Sequence, residues 1–392
     1  MVVIGYNMQR RHFVKSFLSG LTIPLVPLSL QAAAQKNGRR LILVELAGAN
    51  DGLNTVIPYN NDAYYKLRPK IAVRKEERFH LNDSIALNKN LSAMRDIWDS
   101  GNLAIIQGLG YPDPNRSHFK SIALWETGGD GKGMGRSGWL TKDIEELKGN
   151  ANLDALGISL DGGMGIFSSP SGNWISMTSS KKFQPLNDDI KNVEKKVNNP
   201  ALSLLLSRAE SLNSSMSSIS EKLDKSMIHR GSSFGGLRSQ LKRASELIGS
   251  GINAPILKVQ LSGFDTHEGQ KWKHPRLLKN LSNSLKQLSK DLQKINEWSN
   301  TIIFTYSEFG RTAKENDNMG TDHGTAAPHF LIGGKINGGL YGRHPSLVKL
   351  VDGDLSHTMD YRSVYDWILG SWFQIKRNEF SRFHSDELTS LI

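Results

Sequence analysis

Three acidic residues of the 392-residue chain, Asp51, Asp265 and Glu308, each follow closely on an apolar, β-branched run. In open α/β sheets ligands bind beyond the carboxyl ends of the strands, so we expect these carboxylates to share one sheet edge. The chain adds imidazoles at His267 and His323. Carboxylates and imidazoles that converge repel one another or compete for water unless a cation organises them, so the pattern predicts a metal site. Asp51 taken alone could instead cap the helix that follows it.

The chain contains no cysteine. This excludes a disulfide framework, a thiolate zinc site, an iron–sulfur cluster and a cysteine nucleophile. The remaining oxygen and imidazole ligands suit a divalent Zn, Mn, Mg or Ca ion, and the spacing of the residues does not choose among these metals.

A candidate nucleophile, Ser117, lies where a helix is expected to begin. A serine at that position benefits from free backbone N–H groups and from the helix dipole, which also favour an anionic substrate. Arg116 and Arg311 carry planar guanidinium groups that can bind two oxygens of a phosphate or sulfate. The alternative is that Ser117 is only a helix N-cap and that His118 is a packing or surface residue.

The elements that must position these residues alternate along the chain. Four apolar runs predict buried strands, and helical periodicities lie between them. The predicted strands cover residues 41–46, 103–106, 256–261 and 301–306. This alternation predicts an α/β fold with a doubly wound, largely parallel sheet that has helices on both faces. A Ser-rich helical stretch, about 185–251, is expected to be an insert between sheet strands.

The first 34 residues predict an export signal. They contain Arg10, Arg11 and Lys15 and no acidic residue, and an uncharged apolar stretch precedes a run of small residues. The paired arginines resemble the twin-arginine export motif, which is read by a receptor and is not an anchor. A short membrane anchor is the alternative, but the apolar stretch is short for a span. We therefore expect a single domain over 35–392, delivered by the twin-arginine export machinery to the periplasm or the outside of the cell, with no stable membrane anchor.

The 49 Lys and Arg residues exceed the 38 Asp and Glu residues, which gives a formal net charge of +11. Three of these positive charges belong to the predicted signal, and many others alternate with acids and serines along predicted helices. This pattern favours a solvated helical face and predicts no nucleic-acid partner.

Five ordered segments carry a family resemblance: 45–54, 115–119, 263–267, 307–312 and 320–324. They resemble the DUF1501 family, a group of exported bacterial proteins, many with twin-arginine signals. That family is in turn distantly similar to the alkaline phosphatase and sulfatase superfamily. The resemblance therefore implies an alkaline phosphatase-like fold over nearly the whole chain that follows the signal.

The superfamily resemblance also implies roles for particular residues. Asp51 corresponds to the first metal ligand and Ser117 to the nucleophile. Asp265 corresponds to the next ligand and His323 to the last one. Each of these roles is an expectation that comes from the resemblance.

The sequence departs from the superfamily pattern at three positions. Glu308 can replace a ligand carboxylate, but Phe309 cannot replace the imidazole that follows it in the pattern. His267 lies closer to Asp265 than the pattern has it, so one cation is expected more than two. Pro112 stands where a formylglycine sulfatase needs its modifiable residue, which excludes that class.

These observations predict an exported, metal-dependent hydrolase that acts on a small phosphoester or a related anionic ester. The competing prediction is a non-catalytic exported binding or scaffold protein that retains a partial metal site. Phe309 and the altered spacing of His267 motivate this second prediction.

Overall fold

The structure is a computed structural model, and it describes residues 38–144, 153–169, 172–178, 199–225, 235–376 and 378–392. The predicted signal segment, 1–34, lies outside these ranges, and so do residues 185–198 of the predicted insert.

The first strand, β1 (Arg40–Ala47), lies in the middle of the main sheet and shows how both faces are covered. Its side chains alternate between two hydrophobic cores. Leu41 and Leu43 contribute to one core, and Ile42 and Val44 to the other. A strand that is buried on both sides in this way reads as a continuous apolar run, as this sequence does.

The strands have the following bounds in chain order: β1 as above, β2 (Val56–Ile57), β3 (Arg78–His80), β4 (Ala86–Asn88), β5 (Leu103–Gly110), β6 (Gly157–Ser159), β7 (Trp174–Ser176), β8 (Ile256–Ser262), β9 (Thr301–Tyr306), β10 (Ala327–Gly333), β11 (Gly339–Tyr341) and β12 (Met359–Asp360). The four strands predicted from the sequence correspond to β1, β5, β8 and β9, and all four are confirmed.

The main sheet has nine strands, with the order β11-β5-β10-β9-β1-β8-β6-β7 and β12 paired to β5. Strand β1 pairs in parallel with β8 on one side and with β9 on the other, so the chain winds outward from it in both directions. Among the described strands of this sheet, β10 alone runs antiparallel to its neighbours, β5 and β9. The predicted α/β fold with a doubly wound, largely parallel sheet is therefore confirmed. A separate antiparallel sheet has the order β2-β4-β3.

The α-helices are α1 (Gly52–Thr55), α2 (Asp62–Leu67), α3 (Arg95–Asp99), α4 (His118–Thr127), α5 (Thr141–Ile144), α6 (Pro200–Lys225), α7 (Leu237–Gly249), α8 (Gln270–Lys294) and α9 (Arg362–Trp367). A π-helical turn, Ile368–Trp372, continues α9. Short 3₁₀ helices cover Lys75–Glu77, Lys89–Met94, Gly165–Phe167, Trp298–Asn300, Ser381–Phe383 and Asp386–Leu391.

The helices divide between the two faces of the main sheet. Leu241 of α7 and Leu285 of α8 belong to the core that contains Val44. Trp125 of α4 and Tyr365 of α9 belong to the core that contains Leu43. The expected covering of both faces is therefore present. Helices α6 and α7 lie between β7 and β8 along the chain, within the range of the predicted insert, and the division into one domain with an insert stays a prediction.

None of the helices in the part of the chain that the structure describes combines the length and the apolar character that a membrane span requires.

Candidate metal centre

The ends of the parallel strands β5, β8 and β9 supply the candidate site. His118 is the first residue of α4, which follows β5. Asp265 and His267 come directly after β8, and Glu308 comes directly after β9. Because these strands run in the same direction, their carboxyl ends lie at one edge of the sheet, where the sequence places the ligand-binding residues.

A glycine at the end of β1 lets the neighbouring segments approach. Gly48 has a φ of +104°, a conformation that side-chain-bearing residues rarely adopt. A Cβ atom added there would lie 2.4 Å from the backbone nitrogen of Asp265. The N–H group of Gly48 donates a hydrogen bond of 2.9 Å to Oε1 of Glu308. Gly48 therefore connects the residues that follow β8 with those that follow β9.

His323 reaches the same edge because the segment that follows β9 pairs with the segment that precedes β10. The N–H of Gly324 donates to the carbonyl of Gly310 (2.8 Å), and the N–H of Gly310 donates to the carbonyl of Thr325 (2.7 Å). Arg311 and His323 form an isolated antiparallel bridge in this pairing. The imidazole is therefore fixed on a short rigid turn and not on a free loop.

Three imidazoles and one carboxylate converge. Nε2 of His323 lies 3.0 Å from Nε2 of His118 and 2.9 Å from Nε2 of His267. Oδ1 of Asp265 lies 3.0 Å from Nε2 of His267 and 3.3 Å from Nε2 of His323. Oδ2 of Asp265 lies 3.5 Å from Nε2 of His118. Ligand atoms around a tetrahedral zinc ion, at bond lengths of about 2.0–2.1 Å, are separated by about 3.3 Å. The separations among His118, Asp265 and His323, which form one compact group of possible ligand atoms, bracket that value, and His267 lies beside this group.

The other ring nitrogen of each histidine is bound to an acceptor. Nδ1 of His118 donates to Oε1 of Glu308 (2.6 Å), and Nδ1 of His267 donates to Oδ1 of Asp322 (2.9 Å). Nδ1 of His323 donates to the backbone carbonyl of Arg116 (2.8 Å). A carbonyl oxygen can only accept, so we assign the proton to Nδ1 in that ring, and the two carboxylates favour the same tautomer in the others.

In neutral rings with this tautomer, the Nε2 lone pair of His323 faces those of His118 and His267, and a carboxylate oxygen of Asp265 lies within 3.5 Å of each of the three Nε2 atoms. Pairs of acceptors at about 3 Å repel unless a cation or a proton lies between them. Histidines held at Nδ1 by a carboxylate or a carbonyl are the usual arrangement around a bound metal, because the hydrogen bond fixes the ring and raises its basicity. The donor chemistry of His118, Asp265, His267 and His323 therefore fits a divalent cation.

The charges around the site favour the forms that bind a metal. Burial lowers the pKa of His323, which keeps this imidazole neutral near pH 7. Burial alone would raise the pKa of Asp265, but the hydrogen bond and charge of Arg311 outweigh it and lower this pKa. Asp265 is therefore ionised over the physiological pH range.

Arg311 contacts Asp265 and lies inside the protein. Its side chain is buried, NH1 donates to Oδ1 of Asp265 (2.7 Å), Nε donates to Oγ1 of Thr321 (3.2 Å) and NH2 donates to the carbonyl of Thr321. All three nitrogens are therefore engaged by the protein, and the guanidinium holds Asp265 in place. The anion-binding role of Arg311 stays a prediction.

Asp51 is not brought to the convergence point. It is fully buried, and its oxygens accept hydrogen bonds from NH1 of Arg68 (2.6 and 2.9 Å) and from the side chain of Gln270. Oδ1 also accepts from the N–H of Leu53 and so caps α1. Burial would raise the pKa of Asp51, but the charge and hydrogen bond of Arg68 outweigh it and lower this pKa. The guanidinium of Arg68 supplies the positive charge at this carboxylate, and the ligand role of Asp51 stays a prediction.

Glu308 contacts the imidazole of His118. Oε1 accepts from His118 and from Gly48, and Oε2 accepts from the hydroxyl of Ser307 (3.1 Å). With both oxygens engaged in this way, the carboxylate orients the imidazole of His118. Direct ligation of a metal by Glu308 stays a prediction.

Ser117 and Arg116 lie immediately before the ligand His118. Ser117 is the exposed N-cap residue of α4, and its hydroxyl makes no capping hydrogen bond. NH2 of Arg116 lies 3.6 Å from Oδ2 of the buried Asp354, and the arginine side chain is 41% exposed. Unlike Arg311, Arg116 can therefore reach a bound anion.

A cavity of about 560 Å³ borders the cluster. Arg116 and Phe309 are among its lining residues, with Tyr111, Thr325 and Leu355. The ring of Phe309 contacts the rings of His118 and His323, with centroid separations of 5.0 Å to each. The cavity therefore begins at side chains that touch the candidate ligands.

The residue of this cluster that local sequence does not identify is His118. It lies within the segment 115–119, where the sequence alone predicts a packing or surface residue. A histidine one residue after a helix N-cap points back toward the strand end from which the helix comes, because side chains in helices lean toward the N-terminus. That geometry is the signal that could have identified it.

Comparisons with known proteins agree with the family expected from the sequence. Residues 105–375 match the family model DUF1501, described as a protein of unknown function. No curated protein matches the sequence. Solved structures that resemble this fold include the lipoteichoic acid synthase LtaP from Listeria monocytogenes, with 9% identity, a TM-score of 0.38 and coverage of 90% of this chain and 76% of that one.

Two further structures belong to the same group of matches. One is a protein in the alkaline phosphatase superfamily from Vibrio parahaemolyticus, with 9% identity, a TM-score of 0.37 and coverage of 78% of this chain and 63% of that one. The other is the C-terminal periplasmic domain of EcEptC from Escherichia coli in complex with Zn, with 8% identity, a TM-score of 0.35 and coverage of 75% and 72%.

Proposed function

This chain belongs to the DUF1501 family, and we propose that it is an exported, metal-dependent hydrolase of a phosphoester or a related anionic ester. The observation that carries the proposal is the convergence of three imidazoles with a carboxylate oxygen of Asp265. A hydrogen bond at Nδ1 fixes the orientation of each imidazole. The twin-arginine signal predicted for residues 1–34 supports the export part of the proposal.

Zinc is the cation that we propose for the centre. Three imidazole nitrogens and one carboxylate oxygen suit zinc, whereas magnesium and calcium prefer oxygen ligands. His118, Asp265, His267 and His323 would hold the ion, and a single ion suffices because Arg68 already neutralises Asp51. A divalent ion bound there would supply Lewis acidity for an ester oxygen of the substrate.

The chain supplies anion binding beside this centre. Arg116 is adjacent in sequence to Ser117 and His118 and borders the cavity, so an ester bound in the cavity can be gripped by its guanidinium. The unpaired hydroxyl of Ser117 and a water molecule are the two available nucleophiles. The partial exposure of the ligand side chains, 26% for His323 and 42% for His267, leaves the centre reachable from solvent.

Elemental analysis of the purified protein, combined with a panel of soluble phosphomonoesters and phosphodiesters, tests the proposal. The parent chain should carry stoichiometric metal and hydrolyse at least one ester class. His118→Ala should lose metal and activity together, whereas His80→Ala, which removes an exposed histidine from the second sheet, should retain both.

A parent protein that binds no added zinc, or a His118→Ala variant that keeps full metal content, would contradict the metal centre. Stoichiometric metal without hydrolysis of any ester would instead favour the competing prediction, a binding or scaffold protein that retains the metal site.

A further inference from the structure

Large apolar side chains protrude from the segments that carry the candidate ligands. Phe119 is 88% exposed and follows the proposed ligand His118 directly, and Trp272 is 69% exposed and follows the proposed ligand His267 by five residues. Single exposed apolar residues are common, but a group of them on neighbouring segments is typical of an interaction surface. The two most exposed of the large aromatic side chains in the described part of the chain lie on the same segments as candidate ligands.

Other exposed apolar residues continue this surface. The carbonyl of Met319 accepts a hydrogen bond from the N–H of Gln270 (3.1 Å), which places Met319 beside the segment that carries Trp272. Val351 lines the cavity, and the 80% exposed Val348 precedes it by three residues. We use the term rim for these side chains: Phe119, Trp272, Met319, Val348 and Val351.

Lysines accompany the most exposed members of the rim. Lys120 follows Phe119, Lys271 and Lys273 flank Trp272, and Lys349 follows Val348. Lys273 contacts Glu268 at 3.5 Å, whereas no ion pair involves Lys120, Lys271 or Lys349 among the described residues. Acidic residues adjoin the less exposed members, Asp317 near Met319 and Asp352 after Val351. The positive charge is therefore concentrated where the apolar side chains protrude most.

We propose that the rim docks on an anionic lipid bilayer and presents the metal centre to its surface. Single apolar side chains in the first turns of α4 and α8 and on the intervening turns, the most exposed of them beside lysines, match the interface of a membrane, where rings enter the headgroup layer and ammonium groups meet lipid phosphates. A purely ionic partner would use the lysines but would gain little from the protruding Phe119 and Val348. Docking of this kind is reversible and requires no spanning helix.

The docking also narrows the substrate class, in a step that rests on the proposed function. An enzyme whose centre faces a bilayer meets esters held at that surface at high local concentration. The substrate is then an anionic ester carried on a lipid or at the lipid headgroup layer, in place of an ester free in solution.

Cosedimentation of the full-length chain with vesicles tests the docking. Vesicles of phosphatidylcholine alone are compared with vesicles that also contain phosphatidylglycerol, in the presence of a chelator. Phe119→Ser and Trp272→Ser are the test variants. Leu205→Ser is the matched control, because Leu205 is 66% exposed on α6, away from the rim in the sequence. All variants share residues 1–34, so any binding through that segment is common to the comparison.

We expect the parent and Leu205→Ser to bind the phosphatidylglycerol vesicles preferentially, and added salt to weaken that binding. Each rim variant should lower the partition coefficient by about tenfold, as expected for removal of one buried aromatic ring. Equal binding to both vesicle types, unchanged binding by the two rim variants, or binding to soluble heparin in preference to vesicles would overturn the proposal.

The vesicle result and the hydrolase result are independent. Binding in a chelator requires neither a metal nor turnover, and hydrolysis of a soluble ester requires no vesicle. A failure of vesicle binding can therefore be distinguished from a failure of ester hydrolysis.

Discussion

The buried ion pair of Asp51 and Arg68 provides the sharpest test of which carboxylates belong to the metal centre. Both side chains are 0% exposed, and NH1 of Arg68 lies 2.6 Å from Oδ2 of Asp51. The remaining nitrogens of Arg68 donate to the backbone carbonyls of Ala313 (3.0 Å) and Thr312 (2.8 Å). These bonds hold the guanidinium in place, so it cannot leave when the carboxylate is neutralised.

Asp51→Asn should therefore destabilise the fold without emptying the metal centre. Removing one charge of a buried pair leaves the other uncompensated, at a cost of about 3–5 kcal/mol. This is a large share of a total stability of about 5–15 kcal/mol, so the variant should remain folded with a clearly lower denaturation midpoint. Its zinc content per folded chain should equal that of the parent.

Urea denaturation and elemental analysis of the folded fraction measure the two quantities separately. The double variant Asp51→Asn/Arg68→Met removes both charges and should recover much of the lost stability, since neutral replacements of buried pairs are often tolerated. An Asp51→Asn protein that loses its metal but keeps the denaturation midpoint of the parent would refute the assignment and restore Asp51 as a ligand.

Three further outcomes are expected. Glu308→Gln should weaken zinc affinity by about 10–100-fold in chelator competition, because it removes the carboxylate that orients His118; unchanged affinity would show that this contact does not tune the metal. Gly48→Ala should lower stability by about 1–3 kcal/mol and reduce metal content, because its Cβ meets the backbone of Asp265; a fully stable, metal-replete variant would refute the close approach. Burial raises the pKa of Glu126 from 4.5 to about 7. Between pH 4.5 and about pH 7 the carboxyl group is therefore protonated in the folded state and ionised in the unfolded state. In a chelator, unfolding free energy should fall by about 3 kcal/mol as pH rises through that window, and Glu126→Gln should remove this dependence.

The sheet could be predicted from the sequence because its central strands have the simplest pattern. Runs such as residues 41–46 are apolar at every position except Glu45, which is typical of strands that helices cover on both faces. The short edge strands β6 and β7 have three residues each and no periodicity long enough to detect. Strand β10 contains Pro328 and His329, which weaken a strand pattern, and its place between β5 and β9 is set by tertiary pairing.

The sequence predicts the sheet edge at which polar residues gather, whereas their contacts depend on the tertiary structure. Strand ends identify the sheet edge, so Asp265, His267 and His323 could be found from the residues around them. Which oxygen of a strand-end carboxylate is free depends on partners far away in the sequence. Asp51 is engaged by Arg68, 17 residues on, and Glu308 by His118, 190 residues before it. No local pattern contains such a pairing.

Phe309 stands where the resemblance described for the sequence implies an imidazole. The phenyl ring at that position packs against His118 and His323, and His118 supplies an imidazole from the start of α4 instead. An imidazole at position 118 stands at the first residue of α4 and is preceded in the chain by Arg116 and Ser117.

Because Arg116, Ser117 and His118 are consecutive, any movement that opens the start of α4 displaces the proposed ligand, the candidate nucleophile and the proposed anion-binding side chain together. Substrate binding at Arg116 and metal binding at His118 should therefore strengthen each other. We expect zinc to bind more tightly in the presence of a non-hydrolysable anion such as vanadate. Arg116→Ala should abolish this effect of vanadate and leave the zinc affinity measured without vanadate unchanged.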